Sequence, residues 1–239
     1  MQANHIGIVA CSAEGAALCF RTVCMEGALV MGRHAHPEIS LHTHPLARYM
    51  DFIYQDDWNG VGELMLDSAQ RLARLGADFL ICPDNTIHQS LDAIRSRSPL
   101  PWLHIAEEVA AEAARKGYKC VGLTGTKYLM EGPVYPPKFK AQGIEHRVPS
   151  AEERLNIDDI IFNELVNGKF LPQSLAYFKL VIGRLKDAGC DAVALSCTEI
   201  PLLVSPEASP LPTLDSTRLL ARAALRHALQ NSTSAVQSV

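Results

Sequence analysis

Short apolar runs alternate with longer stretches of helical periodicity along most of the chain. His5 to Ala10, with Ile6, Ile8 and Val9 in a near-continuous apolar run, reads as a strand buried on both faces. Met65, Ala69 and Leu72 recur at helical spacing up to Gly76, a C-terminal stop, and Asp78 to Cys82 reads as the next strand. The same grammar then repeats. Ala106 to Lys116 is helical and stops at Gly117, Cys120 to Leu123 is a strand, and Ile157, Ile160, Ile161 and Leu165 mark a helix stopping at Gly168. Leu175, Phe178, Val181 and Leu185 mark another, which stops at Gly189 before the strand Ala192 to Leu195. Strands alternating with helices of this length predict right-handed βαβ units and parallel sheets, an α/β fold.

Two proline-rich stretches, Ser98 to Pro101 and Ser205 to Pro212, are where the chain is expected to cross between lobes. They divide it into residues 1–100 plus 214–239 and residues 101–213. The last helix, about Thr217 to Leu229 behind an Asp215 or Ser216 cap, would return to the first lobe, and the polar tail Asn231 to Val239 is expected to fray. The halves also resemble each other. Leu75-Gly76-Ala77-Asp78-Phe79-Leu80-Ile81 aligns with Ala188-Gly189-Cys190-Asp191-Ala192-Val193-Ala194, and Ile6-Gly7-Ile8 aligns with Val121-Gly122-Leu123 at nearly the same offset. An internal duplication accounts for both. Continued, it sets Asp84 opposite Cys197, Asn85 opposite Thr198 and Thr86 opposite Glu199.

Composition narrows the function. With 22 Lys+Arg against 26 Asp+Glu the net charge is −4, which supplies no basic stripe for nucleic acid. Apolar runs stay under about ten residues, short of the roughly 20 that span a bilayer, so no membrane partner is expected. Met1 to Ser12 lacks the basic start of a signal peptide, which predicts a cytoplasmic protein. Seven cysteines, an odd number with no CxxC pair, argue for reduced thiols rather than disulfides or a zinc knuckle.

In a parallel sheet, residues that follow a strand and open a helix face the ligand crevice. Asp84 and Cys197 both hold that position. Two proton-transfer groups from two lobes suit removal of a proton from one face of a carbon and delivery to the other. Asn85, Thr86 and Thr198, with backbone N–H groups at two helix starts, suit a carboxylate and the charge that develops on deprotonation. The plainer alternative makes Asp84 a helix cap and Cys197 a buried small residue.

Leu195-Ser196-Cys197-Thr198-Glu199-Ile200-Pro201-Leu202-Leu203 closely resembles the second active-site motif of the aspartate/glutamate racemase family, within the Asp/Glu/hydantoin racemase superfamily. Asp84-Asn85-Thr86-Ile87-His88 is similar to its first, ordinarily Cys-Asn-Thr-x-His. The resemblance covers nearly the whole chain. It implies two similar Rossmann-like lobes related by a pseudo-twofold axis, each a central parallel sheet flanked by helices, with the active site in the cleft between them. It also implies a homodimer that needs no cofactor and acts on an amino acid or similar small carboxylate, with one acid/base group per lobe. By that resemblance Asp84 and Cys197 are the catalytic pair, and Ser12, Asn85, Thr86, Thr126, Thr198 and Glu199 are the substrate-binding set.

The pattern departs from the family at its first cysteine, held here by Asp84. A carboxyl group is a far stronger acid than a thiol, so the pair rests as carboxylate plus thiol. The reverse reaction must start from carboxylic acid plus thiolate, so the two directions would differ in rate. A decarboxylase or cis-trans isomerase of a dicarboxylate that uses Cys197 alone, and a non-catalytic carboxylate-binding relative, are the alternatives. Cys82, two residues before Asp84 and on the same side of extended chain, is a second candidate base. Ser12 follows the first strand where many relatives carry a Gly-Gly-Met-type loop. No Lys stands opposite a distal carboxylate in Glu164 to Gly168; Arg48 is the one substitute offered, and a solvated surface role is favoured for it.

His34-Ala35-His36 and His42-Thr43-His44 have the His-x-His spacing of a metal site. No Asp or Cys ligand lies close in sequence, and Pro37 and Pro45 interrupt the local strands, so no metal is expected; His44 is placed near the cleft mouth. His88 is expected to be a satisfied histidine at a helix start. No GxGxxG or P-loop is present, and Gly122 to Thr126 is too short to be either.

Overall fold

The computed structural model describes residues 3–230, and the polar tail expected to fray, Asn231 to Val239, lies outside the described residues. The chain divides into two compact units: one runs to Ile105 and resumes at Leu220, the other is Ala106–Leu219. In order, the elements up to the first boundary are β1 (Ile6–Ala10), α1 (Ala13–Met31), β2 (Ile39–Thr43), α2 (Leu46–Tyr54), α3 (Trp58–Arg74), β3 (Phe79–Ile81), α4 (Leu91–Ile94) and α5 (Ile105–Lys116). Then come β4 (Cys120–Thr124), α6 (Lys127–Glu131), α7 (Pro136–Ala141), β5 (Glu145–Arg147), α8 (Ala151–Asn163), α9 (Pro172–Asp187), β6 (Ala192–Leu195), α10 (Ile200–Leu203), β7 (Thr213–Asp215) and α11 (Ser216–Gln230).

The first unit holds a parallel sheet in the order β2-β1-β3, and the second a parallel sheet in the order β5-β4-β6-β7. Each is flanked by helices, an α/β fold. Period-two alternation sorts the second sheet cleanly. Val121, Leu123, Ala192 and Ala194 pack with Ala106, Val109 and Ala113 of α5. Cys120, Val193 and Leu195 pack on the other face with Ile157 and Ile161 of α8 and Phe178 and Val181 of α9. In the first unit, Ile6, Ile8, Phe79 and Ile81 bury against Ala16, Cys19 and Val23 of α1 and against Leu220, Ala221 and Ala224 of α11.

The duplication reappears as three-dimensional detail. β2-β1-β3 and β5-β4-β6 have the same order. Gly76 and Gly189 both end a helix in the left-handed region, at φ 87° and 94°, as do the stops Gly117 and Gly168 at 80° and 69°. Two residues beyond each of the first pair, an aspartate clasps the start of the central strand. Asp78 Oδ2 accepts the His5 N–H at 2.7 Å. Asp191 Oδ2 accepts that of Lys119 at 2.7 Å and its Oδ1 that of Cys120 at 3.3 Å.

The proline-rich stretches are not where the units divide. Leu80 N–H donates to Pro101 O at 2.8 Å, and Val193 N–H to Pro212 O at 2.9 Å, so each stretch lies along the edge of its own sheet. The chain passes from unit to unit later, within α5 and α11. The periodicity reading also leaves α1, α2, β2, β5 and β7 unmarked. β2 and β5 are edge strands with polar residues and exposed positions, and α1 carries apolar residues all round, with Phe20, Met25 and Leu29 exposed. No helix among the described residues is long and apolar enough to cross a membrane.

Replacing Asp191 by alanine strips two backbone N–H groups of their charged acceptor. The expected loss is about 1–3 kcal/mol in urea unfolding at unchanged denaturant dependence, and no loss would deny the clasp a structural role.

Candidate active site

Both units place their polar candidates just beyond the carboxyl ends of adjacent strands. In the first, Ser12 follows β1 and caps α1, accepting the Gly15 N–H at 3.3 Å, while Asp84 to Thr86 follow β3. β1 and β3 are hydrogen-bonded neighbours, so the two groups share one end of one sheet. Asp84 is half-buried, and its Oδ1 accepts the Ile87 N–H at 3.1 Å, while Asn85 is buried. No full helix opens here. The segment is a 3-10 turn, Thr86–Ser90, and its counterpart after β6 is the four-residue α10 with Pro201 in its first turn. Both align too few peptide dipoles for the helix-end field expected from the sequence, which leaves individual N–H and hydroxyl groups as the anion donors.

His88 is tied on both sides: Nδ1 donates to Asp84 O at 2.6 Å, and Nε2 accepts the Ile105 N–H at 3.3 Å. It is a positioning residue for the Asp84 loop. Cys82 is fully buried, its thiol 3.9 Å from the Asp84 carbonyl, and burial followed by the Asp84 charge pushes that thiol well above the ordinary range. Sequence reasoning missed Tyr49. It is fully buried on α2, and burial, then Cys11, Cys82 and Asp84, raise its ionisation beyond the usual range, against an opposing hydrogen bond with Ser68. The only signal was the apolar spacing of Tyr49 and Ile53 on α2. Arg48 is exposed, with Nη1 3.1 Å from His44 Nδ1.

In the second unit Thr126 follows β4 and caps α6, accepting the Leu129 N–H at 3.2 Å. Cys197 follows β6, the strand paired with β4. Its Sγ donates to Glu199 Oε2 at 3.0 Å, and Thr198 Oγ1 donates to the same oxygen at 2.9 Å. Glu199 is 2% exposed, and its Oε1 is buried with no hydrogen bond. A buried carboxylate with one bare oxygen is costly in the absence of a positive or proton-donating partner. Gly125 lets the two strand ends approach: a Cβ there would stand 2.9 Å from the Ser196 carbonyl oxygen and 2.6 Å from Leu129.

The family model for Asp/Glu/hydantoin racemases matches residues 25–224. The chain belongs to this family. As an amino-acid racemase family member it is an enzyme of the isomerase class. It is 24% identical over 192 residues to the broad specificity amino-acid racemase RacX of Bacillus subtilis (strain 168), covering 78% of this chain and 80% of that one. Among solved structures, a candidate Asp/Glu racemase from Yersinia pestis superposes with a TM-score of 0.86 at 29% identity, covering 95% of this chain and all of that one. An aspartate racemase homologue from Pyrococcus horikoshii OT3 gives 0.81 at 25%, covering 96% and 100%.

Two outcomes follow for this racemase. Gly125→Ala forces the Ser196 backbone away, with an expected cost of about 1–3 kcal/mol in urea unfolding and an altered rate of Cys197 alkylation by iodoacetamide. Unchanged values in both would show that the strand ends have room. The Cys82 thiol, raised in the fold from an ordinary 9.0, contributes its full stability below that pH and loses it as the pH climbs above. The unfolding free energy should therefore fall above about pH 9, less steeply in Cys82→Ala; equal slopes would exclude the thiol as the cause.

Proposed function

We propose that the chain is a cofactor-independent racemase or epimerase of an acidic amino acid, moving a proton across the α-carbon between Asp84 and Cys197. The observation that carries this reading is the buried Cys197–Glu199 pair, with its sulfur set as a proton donor. It stands at the position of the second unit that answers, through the repeat, to Asp84 in the first. Membership of the Asp/Glu/hydantoin racemases, and likeness to an aspartate racemase homologue, support the acidic substrate.

In the forward direction the Asp84 carboxylate takes the α-proton and becomes a carboxylic acid. The α-carbon takes a proton from Cys197 Sγ on its other face and leaves a thiolate. Negative charge delocalised into the substrate carboxylate meets the donors Ser12, Asn85, Thr86, Thr126 and Thr198. The bare Glu199 Oε1 receives the substrate ammonium, which gives the buried carboxylate its missing partner. The opposite enantiomer needs the pair in the other protonation state, so the two directions run at different rates. Asp84 rather than Cys82 is the first-unit base because Cys82 is sealed in the core.

The test is proton NMR in deuterium oxide with a panel of L- and D-amino acids and dicarboxylates, following loss of the α-proton signal. Exchange of an acidic amino acid is expected, reduced about 10²–10⁴-fold or more in both Cys197→Ala and Asp84→Asn. Full exchange in Cys197→Ala would refute the proposal. Chemistry on a dicarboxylate alone, kept in Asp84→Asn, would indicate a single-thiol decarboxylase or isomerase.

A further inference from the structure

At the end of β2 the first unit gathers chemistry that the proton transfer does not use. His42 and His44 stand two residues apart in extended chain, so both rings leave on the same side, with centroids 4.9 Å apart. Asp67 reaches them from α3, which is the residue that no spacing in the sequence could bring to the histidines. The candidate donor atoms of His42, His44 and Asp67 all lie within 4.8 Å of one another. His44 is buried, and its Nε2 is 2.9 Å from Asp67 Oδ2.

We propose that His42, His44 and Asp67 form a binding site for one zinc(II) ion, held by two imidazole nitrogens and a carboxylate oxygen. Bonds of about 2.0–2.2 Å in tetrahedral array separate ligand atoms by roughly 3.3–3.6 Å, so a donor pair at the 4.8 Å limit must close by little more than an ångström and the His44–Asp67 pair, at 2.9 Å, must open by about half of one. Two nitrogens and one oxygen suit zinc and its transition-metal neighbours, whereas magnesium and calcium prefer all-oxygen shells. The outer partner is also in place. His42 Nδ1 lies 2.9 Å from Ser68 Oγ, which turns the ring and leaves Nε2 for the ion, as hydrogen bonds behind ligating histidines ordinarily do. An ion would sit between His44 Nε2 and Asp67 Oδ2, which now face each other at 2.9 Å.

Two cations compete for the same lone pairs. Arg71 Nε is 2.8 Å from Asp67 Oδ2, and Arg48 Nη1 is 3.1 Å from His44 Nδ1. Both arginines are exposed and can swing into solvent, so they set the affinity of the site without closing it. Ion binding moves Arg71 off the carboxylate oxygen and turns Arg48 away from a nitrogen that must then carry a proton.

The experiment is calorimetric titration of the chelator-stripped protein with zinc chloride, paired with cobalt(II) absorption spectra. One equivalent should bind, with His44→Gln and Asp67→Asn each weakening affinity at least about tenfold and Ser68→Ala about tenfold. Arg71→Gln should tighten binding, because it releases Asp67; weaker or equal binding would contradict a carboxylate ligand. Cobalt should show ligand-field bands without the sulfur-to-metal charge-transfer band that any of the seven thiols would add. No binding, a thiolate band, or affinity unchanged in Asp67→Asn overturns the proposal. Thermal midpoints of the stripped variants separate ligand loss from misfolding, and Arg71→Gln, at an exposed position, gives an answer even if the ligand variants fold poorly.

Discussion

A parallel strand covered by helices on both faces has nowhere to put a polar side chain except at its ends. β1, β3, β4 and β6 are buried along their whole length. The one hydroxyl on these four strands, Thr124 Oγ1, is spent on the Ala194 carbonyl at 2.9 Å. The polar candidates of both units are therefore displaced to the first residues after these strands. Ser12, Asp84, Thr126 and Cys197 are where they are because the chain has just left a sealed sheet.

That constraint also sorts the cysteines by their surroundings. Cys82 is one residue past β3 and still within the seal, whereas Cys197 is two past β6 and meets a carboxylate. Cys120 and Cys190 lie 3.6 Å apart in the second core, where burial and their mutual proximity push Cys190 upward and leave a thiol of packing rather than chemistry. In the register of the repeat, Cys82 falls two residues before the position that Cys197 holds.

The same reasoning explains what could be read from the chain alone. Buried central strands and helices that end on left-handed glycines announce themselves, as β6 does over Ala192–Leu195, because burial imposes composition. The edge strands β2 and β5 did not, since one side of each is wet and its residues are mixed. The catalytic candidates were legible from motif spacing, but the Cys197–Glu199 hydrogen bond was not, because the motif does not say which way a glutamate two residues on will point. Tyr49 and Asp67 come from α2 and α3, far along the chain from the groups they approach, and only the packing of those helices brings them there.

The paired aspartate clasps, Asp78 on His5 and Asp191 on Lys119 and Cys120, show the same construction written twice in one chain. A protein assembled from two identical subunits cannot alter one copy without altering the other. Here the two copies are separately encoded, so position 84 can change while position 197 stays as it was. Likeness between the units and difference between their polar residues are therefore independent quantities, and either unit can change at a single codon.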